Sequence, residues 1–268
     1  MQSIVVRRST RLVGLVSLAA VAALGVVGVA GASNTQSKPK PAATQPKAPI
    51  SDRQIPNLTK VESAIEAYYG DTVVDGEHYA SPTSNYARQV AGIERRIETY
   101  LKLRNHWHKK PAIVLDVDDT SLLTYNYELE NGFAYNPTTN AAYVQAEKMT
   151  EVFGMPALAK FAQERGYTIF YVTGRPEAQR DATAGNLGKV GYSAPDAAHL
   201  FLKNAANPPA YLPCGSTCTT IQYKSGTRAH IESLGYQIAA DIGDQYSDLE
   251  GGHADRTFKM PNPMYFLP

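Results

Sequence analysis

The sequence predicts an α/β fold built on a doubly wound parallel sheet. A continuous apolar run at residues 111–115 has the composition of a strand buried on both faces, as parallel strands are. After residue 155, short apolar runs alternate with helical patterns, which is typical of strand–helix–strand units. Ligands of such folds bind beyond the carboxyl ends of the strands, so the functional residues are expected there.

Two helices are expected before the first strand, as an N-terminal extension that packs on the sheet. The first is predicted to begin with a capping box of Thr59 and Glu62 and to turn Val61, Ile65 and Tyr68 to one face. The second, over residues 84–106, repeats apolar residues at three- and four-residue spacing: Val90, Ile93, Ile97 and Tyr100.

Four strands and three further helices are expected in the rest of the chain. The strands are predicted at residues 111–116, 167–172, 199–202 and 236–240. The first helix is predicted to start at Pro156, with Leu158 and Phe161 inward, and to end at Gly166. The other two are predicted from Pro176 to about Val190 and from about Tyr223 to Leu234.

Residues 1–32 have the pattern of a secretory signal. Arg7 and Arg8 precede a long apolar run, and small residues before Ala32 predict cleavage after that residue. The alternative is an uncleaved membrane anchor, because the apolar run approaches the roughly 20 residues that span a bilayer. Either way we expect the remainder to be exported, after a flexible Pro/Lys/Gln-rich linker at residues 33–55.

The body of the chain is mildly acidic, although the whole sequence has a formal charge of +1. Residues 1–50 carry six basic residues and no acidic one, which leaves 20 basic against 25 acidic residues, a net charge of −5, in residues 51–268. Nucleic-acid binding needs an excess of basic surface. A nucleic-acid partner is therefore not expected.

Cys214 and Cys218 are the only cysteines of the chain. In an oxidising compartment, so close a pair predicts a local disulfide. A zinc site is the alternative, but zinc takes four ligands and only two thiols exist. We expect the disulfide to shape the loop that precedes Lys224.

His106 and His108 stand two residues apart at the predicted end of the second helix. Such a pair can suggest a metal site. Polar or cationic side chains are, however, also favoured near a helix C-terminus by the helix dipole, and this second interpretation is preferred.

Acidic residues follow the first and the last predicted strands. Asp116 and Asp118 leave the first strand on related sides, close enough to share a cation or to raise the pKa of one carboxyl group. Asp244 and Asp248 follow the last strand, four residues apart. Carboxylates gathered at one sheet edge suggest a site for a hard cation.

Residues suited to an anion stand at two other places. Thr173, Gly174 and Arg175 end the second strand and combine a hydroxyl, a glycine that permits close backbone approach, and a guanidinium. Lys224 is near the start of a predicted helix. Together they suggest a phosphate site.

Along the chain, these four groups are Asp116 with Asp118, residues 173–175, Lys224, and Asp244 with Asp248. In that order they resemble the four motifs of the haloacid dehalogenase (HAD) superfamily. Within it, residues 115–122, 243–249 and 259–268 resemble the secreted class B-type, plant-type acid phosphatases (HAD subfamily IIIB), a group that includes vegetative storage proteins. The resemblance implies a Rossmann-like HAD domain over residues 56–268, with a small cap-like insertion at about residues 121–155.

The resemblance also implies a mechanism for a secreted, Mg²⁺-dependent phosphomonoesterase of broad specificity. Asp116 would be the nucleophile that forms an aspartyl-phosphate, and Asp118 would be the general acid and base. Thr173, the Gly174 amide and Lys224 would hold the phosphoryl oxygens. The implied metal ligands are Asp116, the carbonyl of Asp118 and Asp244, with Asp248 either a ligand or an orienting residue.

Two features of the substrate site stay open at this stage. Arg175 either contacts the phosphate or pairs with an acid of the first motif. Aromatic residues of the insertion either stack on the leaving group or pack the insertion onto the body: Tyr125, Tyr127, Phe133, Tyr135, Tyr143 and Phe153.

Three other functions are weighed against a hydrolase of small phosphomonoesters. A non-catalytic storage or binding relative would keep the fold, but all four motifs here retain competent residues. A receiver domain is disfavoured, because it is shorter and places its acid pair and its phosphorylated aspartate on separate strands. Phosphotransfer to an alcohol would use every residue named above and is distinguished only by its products.

Overall fold

The computed structural model describes residues 48–104 and 110–268. The predicted signal (residues 1–32), most of the predicted linker, and His106 and His108 lie outside these residues. Ser51–Pro268 forms one compact unit. Within the described ranges, no helix combines the length and the apolar character needed to cross a bilayer.

The described elements alternate as the sequence predicts, with additional short strands and helices. The strands are β1 Thr72–Val74, β2 Glu77–Tyr79, β3 Pro111–Leu115, β4 Leu122–Leu123, β5 Thr150–Glu151, β6 Thr168–Pro176, β7 Leu200–Lys203, β8 Gln237–Gly243 and β9 Arg256–Lys259. The helices are α1 Leu58–Tyr69, α2 Asn85–Arg104, α3 Tyr125–Glu130, α4 Pro137–Ala146, α5 Met155–Gln163, α6 Arg180–Lys189, α7 Thr220–Ser233 and α8 Tyr246–Leu249.

The central sheet has five parallel strands in the order β7-β6-β3-β8-β9. The strand with the most continuous apolar run, β3, is therefore in the middle. Its neighbours β6 and β8 bring their carboxyl ends to the same edge. The predicted α/β fold with a parallel sheet is confirmed.

Each face of the sheet buries its own hydrophobic cluster. Ile113 and Leu115 of β3 pack on one side, in the cluster that contains the buried face of α2. Ala112 and Val114 point to the other side, where they join Tyr223 and the rest of the apolar face of α7. Because successive strand residues alternate between faces, one apolar run is buried by helices on both sides.

The start of α1 differs from the prediction. The helix begins after Asn57, whose side chain accepts a hydrogen bond from the Lys60 amide at 3.2 Å. The predicted capping box of Thr59 and Glu62 is therefore wrong: an asparagine two residues earlier takes the N-cap position, for which it is equally suited. Val61, predicted to face inward, is 39% exposed.

Helices α6 and α7 also begin at other residues than predicted. Pro176 ends strand β6, and a short 3₁₀ turn at Glu177–Gln179 precedes α6. Helix α7 begins three residues before Tyr223, because Thr219 and Gln222 form a capping box. Thus α6 begins four residues later than predicted and α7 three residues earlier.

The predicted disulfide between Cys214 and Cys218 is present. The bridged loop leads directly into Thr219, the N-cap of α7. Lys203 donates a hydrogen bond to the Cys218 carbonyl at 3.2 Å, which joins the loop to β7. The loop therefore helps to determine where the helix that carries Lys224 begins.

Residues 121–155 form a small layer of their own after β3. Strands β4 and β5 pair in antiparallel fashion, and α3 and α4 lie between them in the chain. Four of the six aromatic residues of this segment pack on other rings. These are Tyr125 on Tyr69, Tyr127 on Tyr143, and Phe153 on Tyr86, with centroids 4.4, 5.0 and 6.1 Å apart.

Candidate active site

The candidate site lies where strands β6, β3 and β8 end side by side. Asp116 follows β3 directly, residues 173–175 are in the last part of β6, and Asp244 follows β8. Since the three strands are neighbours and parallel, residues far apart in sequence meet at one edge. The sheet topology thus brings together the predicted motif residues.

Asp116 is held firmly by its backbone. Its amide donates to the Ile242 carbonyl at 2.9 Å, and its carbonyl accepts from the Ser121 hydroxyl at 2.7 Å. The residue is only 6% exposed. Burial raises the pKa of the carboxyl group, Lys224 opposes this effect, and the neighbouring aspartates raise the pKa further. The carboxylate is thus fixed in a poorly solvated place beside a cation.

Lys224 joins two of the acids. Its ammonium group forms an ion pair with Asp116 and another with Asp248 at 2.9 Å. Burial by itself would lower the pKa of Lys224, but the two carboxylates raise it above its usual value. Lys224 is therefore a permanent positive charge in the site.

Asp116, Asp244 and Asp248 form a cluster that suits a cation. Their carboxylate oxygens lie within 4.8 Å of one another, and all three residues are buried. Three carboxylates and the ammonium of Lys224 leave a formal charge of −2 when all are ionised. Oxygen ligands and this charge match a hard divalent ion. Burial and the charge of Asp248 raise the pKa of Asp244 to about 7, so a bound cation would favour its ionised form.

Gly243 makes room for this cluster. A Cβ atom at Gly243 would lie 2.5 Å from the Cβ of Asp248 and 2.6 Å from its Oδ2. The first of these atoms is attached to the backbone and cannot swing away. Asp248 can thus fold back onto the strand end, where its Oδ2 accepts a hydrogen bond from the Gln245 amide at 2.9 Å.

Arg175 pairs with Asp118, which is one of the two alternatives that the sequence left open. Its Nη2 and Nε donate to Asp118 Oδ1 and Oδ2 at 2.7 and 3.0 Å. Nη1 donates to the Thr183 hydroxyl at 3.0 Å. The arginine side chain is 5% exposed, whereas that of Asp118 is 30% exposed. The forked contact therefore orients an Asp118 carboxylate that solvent, or a substrate, can reach.

Thr173 and Gly174 form the other side of the strand end. Thr173 is 1% exposed and its hydroxyl accepts from the Arg175 amide at 3.2 Å. Gly174 is exposed, and apart from its own chain neighbours no described residue has an atom within 4 Å of where its Cβ would be. The space beside its backbone is thus open to a ligand.

A cavity of about 480 Å³ opens above these residues. Its walls include Asp116, Asp118, Gly174 and Lys224, with Phe133 and Tyr135 from the insertion. Thus two of the six insertion aromatics face the candidate substrate space. A larger groove of about 670 Å³ runs beside α1 and Pro261, and none of the clustered acids lines it.

The structure adds three residues that the sequence did not single out: Glu128, Asn262 and Tyr265. Glu128 of α3 is 6% exposed and lines the cavity, and burial together with Asp118 raises its pKa to about 7. Asn262 donates a hydrogen bond to Asp244 of the acid cluster, and Tyr265 donates one to Asp119, which follows Asp118 directly. Their only sequence signal was their position inside or beside motif-like runs.

A sequence model of the HAD superfamily, subfamily IIIB (acid phosphatase), matches residues 31–268. Vegetative storage protein 2 of Arabidopsis thaliana is 30% identical over 82% of this chain and 78% of its own. Acid phosphatase 1 of Solanum lycopersicum is 34% identical over 58% of each chain. The stem 28 kDa glycoprotein of Glycine max is 29% identical over 72% of each.

Among solved structures, the class C acid phosphatase from Bacillus anthracis has a similar fold. The TM-score is 0.59 at 21% sequence identity, over 78% of this chain and 86% of the bacterial one. A second structure of that enzyme, with tungstate bound, has a TM-score of 0.56 at 20% sequence identity, over 77% of this chain and 86% of the bacterial one.

Proposed function

Because the chain belongs to subfamily IIIB of the HAD superfamily, the acid phosphatases, and is a phosphomonoesterase, we propose that it hydrolyses small phosphate monoesters through an aspartyl-phosphate at Asp116 with the help of Mg²⁺. One observation carries this proposal. Asp116 is buried between Lys224 and two further carboxylates, at the base of a cavity large enough for a small phosphomonoester.

Asp116 attacks phosphorus, and a covalent phosphoryl–aspartate bond forms as the bond to the leaving oxygen breaks. The difficulty is electrostatic, because the carboxylate and the phosphate monoester are both anions. Lys224 offsets part of this repulsion, and fixed positive charge of this kind also stabilises the transition state. Asp116 is held at both its amide and its carbonyl, so little reorganisation precedes the attack.

Asp116, Asp244 and the backbone carbonyl of Asp118 would hold the Mg²⁺, and the carboxylate of Asp248 lies close enough to those of Asp116 and Asp244 to be a further ligand. Both carboxylate oxygens of Asp248 already have protein partners, Lys224 and the Gln245 amide. We therefore assign Asp248 chiefly to orienting Lys224. The cation, when bound, supplies the positive charge that offsets the phosphoryl oxygens.

Thr173, the Gly174 amide and Lys224 hold the phosphoryl oxygens. The open space beside Gly174 supports this role, because a side chain there would occupy the path of a phosphate group. The ammonium group of Lys224 is paired with Asp116, whose carboxylate oxygen attacks phosphorus. The same cation can therefore contact both the nucleophile and the phosphate.

Asp118 transfers the proton. It first protonates the leaving alcohol oxygen and then removes a proton from the water that attacks the phosphoryl–aspartate, which releases inorganic phosphate. Arg175 is the positioning residue for this step, because its two hydrogen bonds hold the Asp118 carboxylate at the cavity wall.

The test is an Asp116→Asn variant assayed with p-nitrophenyl phosphate, with Mg²⁺ and with excess chelator. We expect a loss of about three orders of magnitude or more in kcat for the variant, since the amide is a poor nucleophile. The wild-type protein, quenched in acid during turnover, should yield an Asp116 peptide heavier by one phosphoryl group. An active Asp116→Asn variant would exclude Asp116 as nucleophile, and full wild-type activity in chelator would exclude the metal.

A storage role without catalysis is the competing interpretation, because two of the similar plant proteins are named vegetative storage proteins. The charged contacts favour catalysis instead. A storage protein has no need of Lys224 and three acids in one buried cluster, which is costly unless a ligand or cation uses it. Phosphotransfer is tested by adding a nucleoside or glycerol and analysing for the new ester.

We propose further that the chain is exported, with cleavage after Ala32. The basic and apolar leader supports this, as does the similarity to plant stem glycoproteins. N-terminal sequencing of the protein recovered from an exporting host tests it. A mature chain that begins at Ser33 is the expected result, and one that retains the apolar run would favour the anchor.

A further inference from the structure

The last eight residues of the sequence, 261–268, cross the acidic end of the sheet. We refer to them as the closing segment. Four hydrogen bonds of 2.7 to 3.1 Å tie it to motif residues and their neighbours: Asn262 to Asp244, Tyr265 to Asp119, the Leu267 amide to Gln245, and Ser247 to the Leu267 carbonyl. The segment also lines the cavity with Tyr265, Phe266 and Leu267.

Asn262 holds one oxygen of Asp244. Oδ2 of Asp244 accepts from Asn262 Nδ2 at 2.8 Å and from Gln245 Nε2 at 2.6 Å. Among the residues that the structure describes, the one hydrogen bond to Oδ1 comes from the Thr120 hydroxyl, at 3.4 Å. Two amide donors on one oxygen prevent the carboxylate from rotating and leave the other oxygen for a cation.

The orientation of the Asn262 amide is itself determined by the chain. Its Oδ1 accepts a hydrogen bond from the Met264 amide at 2.8 Å, so the donor end of the side chain must point to Asp244. Pro261 and Pro263 on either side restrict the backbone of this turn. The donor is thus presented to Asp244 in a fixed position.

Tyr265 connects the same segment to the first motif. Its hydroxyl donates to Asp119 Oδ2 at 2.7 Å. Asp119 has a left-handed backbone conformation with φ of 52°, and its other contacts come from the amide and hydroxyl of Thr124. The closing segment therefore links the loop after β3 to the loop after β8.

We propose that Asn262 is a positioning residue for the cation site, and that the closing segment completes the active site by fixing Asp244. This inference rests on the proposed function, because that proposal assigns Asp244 to Mg²⁺. Its new content is that affinity for the cation depends on a side chain that is itself neither a ligand nor part of the four motifs.

The test compares Mg²⁺ binding by isothermal titration calorimetry for Asn262→Ala, Asn262→Leu and wild type. Leucine has nearly the size of asparagine and lacks its donor, so it keeps the inference testable if the alanine variant does not fold. We expect the Kd for Mg²⁺ to rise about tenfold in both, as when other partners of metal ligands are removed. At saturating Mg²⁺, kcat should return to within about threefold of wild type.

Ser247→Ala is the matched control, because it removes a hydrogen bond to the same segment and leaves both amide donors of Asp244 in place. Its Kd for Mg²⁺ should equal that of the wild type. Unchanged binding in both Asn262 variants overturns the inference, and so does equal weakening in Ser247→Ala. A wild-type protein that binds no Mg²⁺ overturns the proposed metal site as well, so the two failures are distinguishable.

Discussion

Arg228 connects the helix that carries Lys224 to the segment that follows Asp248. It is 1% exposed, and its guanidinium lies 2.9 Å from the carboxylate of Asp241, which is 2% exposed. It also donates to three backbone carbonyls beyond β8: those of Asp248, Glu250 and Gly252. Since Lys224 is one turn earlier on α7, Arg228 fixes the distance between this lysine and the fourth motif.

An Arg228→Met variant would leave Asp241 buried without its cation. Burial already raises the pKa of Asp241, and Arg228 opposes that effect. In the variant the carboxyl group is expected to stay protonated in the folded state. With Arg228 present the pKa of Asp241 is raised to about 7, so below that pH the wild type and the variant both hold the proton. Above pH 7 only the variant keeps it, at an added cost that approaches about 1.4 kcal/mol per pH unit.

The assay is urea unfolding of the wild type and the variant between pH 5 and pH 8. The loss of unfolding free energy should be nearly constant up to pH 6 and should grow above pH 7, by about 1.4 kcal/mol at pH 8. The constant part comes from the three carbonyls that lose their charged donor, and at about 3 kcal/mol it corresponds to a fall in Tm of about 6–12 °C for a body of this size. The same magnitude is typical when one partner of a buried ion pair is removed.

An Arg228→Met, Asp241→Asn double variant separates the ion pair from the three carbonyl contacts. It should retain part of the destabilisation, because the carbonyls still lack their donor, but it should lose the dependence on pH. A loss below about 1 kcal/mol throughout, with no growth between pH 6 and pH 8 in the single variant, would refute the reasoning.

Three further predictions concern single residues near the site and the core. Burial raises the pKa of Glu94 to about 7, so the folded state binds a proton that the unfolded state releases near pH 4.5. Between pH 4.5 and pH 7 this group should lower wild-type stability by roughly 1–2 kcal/mol, after allowance for its partial exposure. In urea titrations Glu94→Gln should reduce the decline of stability with pH by this amount, and an unchanged decline would contradict the prediction. Glu128→Gln should leave KM at pH 5 unchanged and lower KM at pH 8 by roughly fivefold, because the wild-type carboxyl group ionises near pH 7 beside an anionic substrate. An equal effect on KM at both pH values would count against this prediction. Gly243→Ala should lower kcat/KM at least tenfold, through the clash with Asp248, and destabilise by about 1–3 kcal/mol; kinetics and calorimetry like those of wild type would contradict this.

The sequence was sufficient for four of the five strands of the central sheet and for the residues that follow them. Apolar runs predicted the strands β3, β6, β7 and β8 within a few residues, because burial on both faces favours apolar residues at most positions of such a strand. The motif residues then met because neighbouring parallel strands end together. Strand β9 was not predicted, since it is short and at the edge of the sheet, where the selection for apolar residues is weaker.

The contacts between side chains were beyond the reach of the sequence. Periodicity cannot decide whether Arg175 turns to a phosphate or to Asp118, because both orientations use the same backbone. The roles of Asn262 and Tyr265 depend on where a segment without regular secondary structure crosses the sheet. The N-cap of α1 illustrates the same limit within a few residues. Asn57 and Thr59 are both good N-cap residues, and packing decides between these two candidates.

The negative charge of the body bears on why an enzyme of this kind would work in acid. Beyond the cation cluster, two more carboxyl groups close to Asp118 are buried: Asp119 and Glu128. Burial raises the pKa of each to about 7, although hydrogen bonds from Thr124 and Tyr265 lower that of Asp119. Below pH 7 both would be largely neutral, and a phosphate monoester would meet fewer negative charges. If the neutralisation of Asp119 and Glu128 causes a preference for acid, the dependence on pH should appear first in KM. If the protonation of Asp118 alone causes it, the dependence on pH should appear in kcat.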